Sequence, residues 1–362
     1  MTCSPRLEVD LGKVEANAAS LVVRLGGQGI HVVGVTKATL SAPEVARAFE
    51  RGGVAMLGDS RVQNLARLEA VGSTTPRMLV RSPMLSEVEA AVRVASVSLN
   101  SEERVLDALD DVARRQRSAH GVILMVELGD LREGVAPSAV VDLATKVEGR
   151  WGLDLVGLGT NLACQSGIVP DAAKMDELSS LVERVELVLG RRLAVVSGGN
   201  SANLGWALTT PDVGRVNELR VGEAILLGTD PLHRTPIEGL HTDACQLVAE
   251  VIEVQAKPSQ PWGAVAQAAF GTAAGRTGSG VRRQVLLAVG RQDVDPDGLL
   301  PPAGTAVLGA SSDHLVLDPG EQPVVVGDEL TFGLDYSALV RAMTSPFVTK
   351  VMVDPSMALG RP

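Results

Sequence analysis

The chain has 362 residues, a net charge of −10, 45% hydrophobic residues and only 2% aromatic residues. That acidic balance, with no Lys/Arg block beyond Arg114, Arg115 and Arg117 on a solvated helix face, excludes a nucleic-acid binder and disfavours anionic membranes. No apolar stretch approaches the ~20 residues of a spanning helix. Cys3, Cys164 and Cys245 are far apart and form no CxxC pair. No secretory pattern opens the sequence, so free thiols in the cytoplasm are expected.

Short apolar runs alternate with helical patterns through the first two thirds. Strands are expected at residues 31–37, 54–58, 77–81, 96–99, 122–128, 153–159, 193–197 and 219–228. Residues 43–51 place Val45, Ala46 and Phe49 on one helical face and stop at Gly52-Gly53. Pro170 is expected to open another helix, with Met175, Leu178, Leu181, Val182 and Val185 at helical spacing. Eight strand–helix units predict a (β/α)8 barrel over residues 10–235. After residue 235 the pattern changes to short alternating strands at 245–255, 284–289, 305–308, 314–317 and 329–332, punctuated by Pro- and Gly-rich turns. A smaller, mainly β domain is therefore expected over 240–355, joined by a strand from residues 1–9. The Gly-rich stretch 273–280 reads as a flexible loop.

In a (β/α)8 barrel the chemistry lies at the C-terminal ends of the strands. The first predicted strand ends in Lys37, in a chain with six lysines and 27 arginines. An amine at the rim of a buried sheet is a candidate nucleophile or Schiff-base former through desolvation; the alternative is a lysine that packs its stem and keeps its head in water. The other strand ends carry Asp130-Leu131-Arg132-Glu133-Gly134, Thr160-Asn161, Ser197-Gly198-Gly199-Asn200-Ser201 and Arg220-Val221-Gly222-Glu223-Ala224. The Gly/Ser loop can offer N–H groups and a hydroxyl to a phosphate, or be only a turn. Arg220, inside a strand, must be paired; Glu218 and Glu223 are its candidate structural partners.

Taken in order, these segments resemble the pyridoxal-phosphate enzymes of the alanine racemase type (fold type III), and within them the ornithine/alanine racemase branch. The resemblance runs over nearly the whole chain. Val35-Thr36-Lys37-Ala38 resembles the segment whose lysine holds the cofactor. Leu131-Arg132-Glu133-Gly134 is similar to the R-x-G segment whose arginine contacts the cofactor's phenolic oxygen. Asn200-Ser201-Ala202 resembles the phosphate-binding serine segment. Arg220-Val221-Gly222-Glu223-Ala224 is similar to the strand whose arginine faces the pyridine nitrogen and whose following backbone amides bind phosphate. Asn161 matches a position near the ring, and Tyr336, the single tyrosine, matches the phosphate-binding tyrosine.

The resemblance implies the cofactor pyridoxal 5'-phosphate, no metal, and a homodimer whose sites borrow residues from the partner's β domain. It implies racemisation of an amino acid such as ornithine, alanine or serine, with Lys37 as the base on one face. The family's tyrosine for the other face is missing here, since the matching region is near Trp262-Gly263. Asp313 and His314 are the candidates to supply that second proton; binding the substrate's distal group or holding a turn is their other reading. Asp313, Asp335 and Glu223 are the candidate carboxylates for a distal amine. Two rivals share the fold. One is a metal-assisted D-amino-acid lyase, which needs a cation beside the cofactor. The other is a non-catalytic cofactor-binding protein, whose relatives lack the β domain.

Overall fold

The computed structural model describes residues 4–271 and 278–354. Strand β1 (Arg6–Asp10) leads into α1 (Leu11–Gly26), and then β2 (His31–Val35), α2 (Pro43–Arg51), β3 (Met56–Asp59), α3 (Val62–Ala70), β4 (Arg77–Leu79), α4 (Val88–Val94), β5 (Val97–Asn100), α5 (Glu103–Gln116), β6 (His120–Met125), α6 (Val140–Glu148), β7 (Leu153–Gly159), α7 (Ala172–Leu189), β8 (Val195–Asn200), α8 (Leu204–Ala207), β9 (Glu218–Val221) and α9 (Glu223–Leu227) follow. Strands β2 to β9 pair in parallel in chain order and close into a barrel. Residues 14–241 form one compact unit; residues 4–13 and the described residues from 242 onward form the other.

With so few aromatic side chains, the barrel packs on aliphatics. Val33, Met78, Val97, Leu99, Ile123 and Met125 form one buried cluster contributed by β2, β4, β5 and β6. Phe49 of α2 is fully buried, worth about 1.5–3 kcal/mol in apolar area. Helix α7 is capped by Asp171, whose carboxylate accepts from the Lys174 N–H at 2.9 Å. The helix therefore begins two residues beyond Pro170, because an acceptor side chain at the cap satisfies a first-turn donor that proline cannot.

The predicted strand at 219–228 is two elements. β9 ends at Val221, Gly222 caps the next turn, and residues 223–227 are helical. Ala224, Ile225, Leu226 and Leu227 are all buried, so the run carries no amphipathic period that would distinguish a buried helix from a buried strand. Lys37 likewise lies two residues beyond β2 and opens a single 3-10 turn.

The second unit is built on β10 (Cys245–Pro258), β11 (Val281–Leu287), β12 (Leu299–Leu300), β13 (Ala306–Ala310), β14 (Leu315–Asp318), β15 (Glu329–Leu334) and β16 (Thr349–Val353), with the helix α10 (Tyr336–Thr344). β1 pairs antiparallel with β10 and parallel with β16. Of the loop expected at 273–280, residues 273–277 lie outside the described residues.

Candidate active site

Lys37 is held by a turn that other side chains over-determine. Leu40 and Ser41 both adopt left-handed backbone, φ 53° and 49°, which non-glycine residues enter at a cost. Ser41 Oγ donates to Asp59 Oδ2 at 2.7 Å and lies 2.7 Å from Thr36 Oγ1; the Arg67 guanidinium donates to the Leu40 carbonyl at 2.6 Å. Asp59 also accepts from the Arg61 N–H at 2.8 Å and from Asn64 at 3.1 Å. Burial pushes the Asp59 carboxyl up, while those hydrogen bonds and the charge of Lys37 oppose it. The Lys37 side chain itself is exposed and makes no hydrogen bond or ion pair among the described residues. The desolvation expected at this amine is thus not a property of the chain alone; what the fold provides is an available amine fixed at its base.

Arg132 stands on a loop organised by two carboxylates. Glu127 accepts from the N–H groups of Gly129 (2.5 Å), Leu131 (3.0 Å) and Arg132 (3.1 Å). Asp130 reaches across to the loop after β7 and accepts from the N–H groups of Cys164 (3.2 Å), Gln165 (3.0 Å) and Ser166 (3.0 Å). Burial raises the Asp130 carboxyl, but the three N–H donors outweigh it and the net shift is downward. Gly134 closes the loop at φ 149°, where a Cβ would lie 2.4 Å from the Glu127 nitrogen. Arg132 Nε pairs with Glu133 at 2.8 Å. Burial pushes the Glu133 carboxyl up against the charges of Arg132, Arg220 and Lys37, which brings cations from three strand ends around one acid.

Arg220 is buried, and its guanidinium donates to the Ser197 hydroxyl and to the Thr160 carbonyl, the latter at 2.7 Å. Of its two candidate acidic partners, Glu218 reaches it through Ser197, whose hydroxyl donates to Glu218 Oε1 at 2.6 Å. Glu223 instead pairs with Arg234 at 2.6 Å. The Ser201 hydroxyl accepts from the N–H groups of Gly222 and Ala224, both at 3.3 Å. Gly222 packs so that a Cβ would fall 2.6 Å from the Val35 carbonyl oxygen, which holds β9 tight against the end of β2. Asn161 Oδ1 accepts from Asn200 at 3.1 Å, and Asn161 Nδ2 is buried with no partner.

Lys37, Arg132, Asn161, Ser201, Gly222 and Glu223 therefore all follow barrel strands at their C-terminal ends, and Arg220 is the penultimate residue of β9. The remaining expected residues lie in the other unit. Asp313 and His314 share a turn in which His314 Nδ1 sits 3.0 Å from Asp313 Oδ1 and Ser312 Oγ donates to the same oxygen at 3.0 Å. The Ser312 hydrogen bond, then that of His314, hold the Asp313 carboxyl below its usual range. Tyr336 opens α10, whose cap is Asp335 accepting from the Ala338 N–H at 2.9 Å. Asp59 and Glu127 escape sequence reasoning because each acts on backbone or side chains that only the folded loops bring near. No helix among the described residues is long and apolar enough to cross a membrane.

A free amine, two guanidinium groups, a hydroxyl facing backbone amides and a buried unpaired amide donor fit an anionic carbonyl cofactor. They lie together at one end of a closed parallel barrel, the architecture of a barrel enzyme. The family model for the alanine racemase N-terminal domain matches residues 9–230. The lysine racemase of Thermotoga maritima is 39% identical over 356 residues, covering 98% of this chain and 99% of that protein. The ornithine racemase of Acetoanaerobium sticklandii is 32% identical, covering 96% and 99%. Among solved structures, an alanine racemase from Streptomyces lavendulae superposes with a TM-score of 0.74 at 20% identity over the whole of both chains. A D-threonine aldolase from Filomicrobium marinum gives 0.75 at 15% identity over 97% of this chain and 92% of that one, which shows a shared fold.

The chain belongs to the alanine racemase family. It is an amino-acid racemase that depends on pyridoxal 5'-phosphate.

Proposed function

We propose that this racemase acts on a basic amino acid, lysine or ornithine, with Lys37 as the proton-transfer base on one face of the substrate and His314 on the other. The observation that carries the substrate class is the end-to-end similarity to a lysine racemase and an ornithine racemase. Bound pyridoxal 5'-phosphate supplies the electron sink that makes the substrate's Cα–H acidic. Arg220, Ser201, Asn161, Arg132 and the β9–α9 turn at Gly222 and Glu223 would hold it, with Tyr336 as the further phosphate ligand that the resemblance implies. Lys37 Nζ, exposed and unpaired, is free to bind the cofactor and then to take or return the Cα proton.

The contact between Asp313 and His314 Nδ1 supports the second role. A carboxylate fixed on one ring nitrogen makes the other the proton-exchanging atom. The distal amine of the substrate needs a carboxylate. Each of the three expected acids already has a partner within the chain: Asp335 caps α10, Glu223 pairs with Arg234, and Asp313 holds His314. The family resemblance supports a homodimer with sites shared between chains, and the separated cysteines support a cytoplasmic location.

The test is a substrate panel of L-lysine, L-ornithine, L-alanine and L-serine. The highest kcat/KM is expected for one of the two basic amino acids; equal or better turnover of alanine would reject the substrate assignment. Lys37→Ala should abolish both the absorbance of bound cofactor and racemisation. His314→Ala should lower the racemisation rate while leaving cofactor binding intact.

A further inference from the structure

Glu218, Ser197 and Arg220 form a buried triad on β8 and β9. Glu218 and Arg220 are two residues apart on β9, so both face the barrel interior, and Ser197 of β8 is the register partner of Glu218. Relative exposures are 6%, 0% and 4% for Glu218, Ser197 and Arg220. No direct Glu218–Arg220 ion pair forms; the serine stands between them. A carboxylate is an acceptor only, so the single Ser197 proton is committed to Glu218 and its lone pair is left for Arg220. With the Thr160 carbonyl taking a second N–H, the guanidinium is fixed in plane and direction.

We propose that Glu218 is a positioning residue that, through Ser197, sets the orientation and the electrostatic effect of Arg220 on the bound cofactor. This rests on the reading that Arg220 faces the cofactor ring. Burial pushes the Glu218 carboxyl up and the Arg220 guanidinium down. A guanidinium keeps its proton in proteins, so the anion that balances it is Glu218. The other groups acting on this pair are His31 of β2, beside Glu218, and Glu133, Cys164 and Arg132, which act on Arg220. Glu133 already pairs with Arg132, so Glu218 is the carboxylate devoted to Arg220. The arrangement presents a charge that is locked in direction and partly neutralised from beneath. The cofactor ring then meets a directed N–H rather than a full unscreened cation.

The experiment compares wild type with Glu218→Gln, Glu218→Asp and Ser197→Ala, each loaded with pyridoxal 5'-phosphate, by pH titration of the bound-cofactor absorbance and by kcat and KM. Glu218→Gln removes the charge and lets the amide turn a donor toward Ser197. Loss of a nearby anion lowers the titration midpoint of groups on the cofactor, here by about one pH unit, with kcat down roughly tenfold and KM unchanged. Glu218→Asp, which keeps the charge, should restore the midpoint toward wild type. Glu186→Gln on α7 removes a carboxylate that pairs with Arg215 and should move neither readout.

An unchanged midpoint in Glu218→Gln, with kcat reduced only in step with thermal stability, overturns the proposal. If that variant does not fold, Ser197→Ala carries the test. It cuts the link without adding a charge; a displaced midpoint supports the proposal and a wild-type titration overturns it. Failure of the racemase reading would show separately, as wild-type protein with no racemisation of any amino acid.

Discussion

Asp130→Asn tests whether a single carboxylate ties together two walls of the site. Oδ2 accepts from the Cys164 and Gln165 N–H groups and Oδ1 from Ser166. Asparagine keeps one acceptor and turns an NH2 toward the remaining donor, so at least one charge-assisted hydrogen bond is lost and two donors face each other. Hydrogen bonds to a charged group contribute about 1.5–3 kcal/mol each, which sets the expected loss at about 2–4 kcal/mol for this buried group. Urea unfolding at pH 7 should show it as a lower midpoint with an unchanged slope.

The pH dependence gives a second reading of the same substitution. The folded carboxyl lies below its unfolded value, so its stabilisation is present above that value and fades as the pH falls through the folded pKa. The gap between wild type and Asp130→Asn should therefore close below about pH 4, near the unfolded Asp pKa. A loss under about 0.5 kcal/mol, within the range of an ordinary surface substitution, would refute the linking role, as would a gap that persists in acid.

Two further outcomes follow from the barrel. Burial holds the His120 imidazole down to about 4, with its Nε2 2.8 Å from Ser98 Oγ. The unfolded chain binds a proton there first, so this contribution is intact above about pH 6.5 and is lost toward pH 4, about 3 kcal/mol in all. His120→Gln should flatten the acid limb of a stability–pH curve measured by denaturant unfolding; an identical limb in the variant would contradict it. Gly134→Ala forces a side chain onto the Glu127 backbone at a left-handed φ and should cost about 3 kcal/mol and weaken cofactor binding, by thermal melts and cofactor titration.

The sequence shows the barrel through its apolar runs, and the predicted strand 153–159 coincides with β7. It misleads at residues 219–228, where burial on every side erases the period that separates helix from strand. The residues of the strand ends are legible because the barrel topology fixes which end carries chemistry. Their supports are less so. Glu127 and Asp130 work by accepting backbone N–H groups from loops, and nothing in composition marks a carboxylate for that task. Glu218 and Ser197 meet only through the register of β8 and β9. The opposite-face group is the least legible of all, since no tyrosine stands near Trp262-Gly263 and the proposed His314 is marked only by its contact with Asp313.

The most direct measurement is incubation of the purified, cofactor-loaded protein with L-lysine and, separately, L-ornithine in D2O, followed by chiral separation and mass analysis. The D-enantiomer carrying one deuterium at Cα, approaching a one-to-one ratio with the L-form, is the predicted result. Unlabelled amino acid with no D-enantiomer, or carbon–carbon cleavage or deamination products in its place, would contradict it.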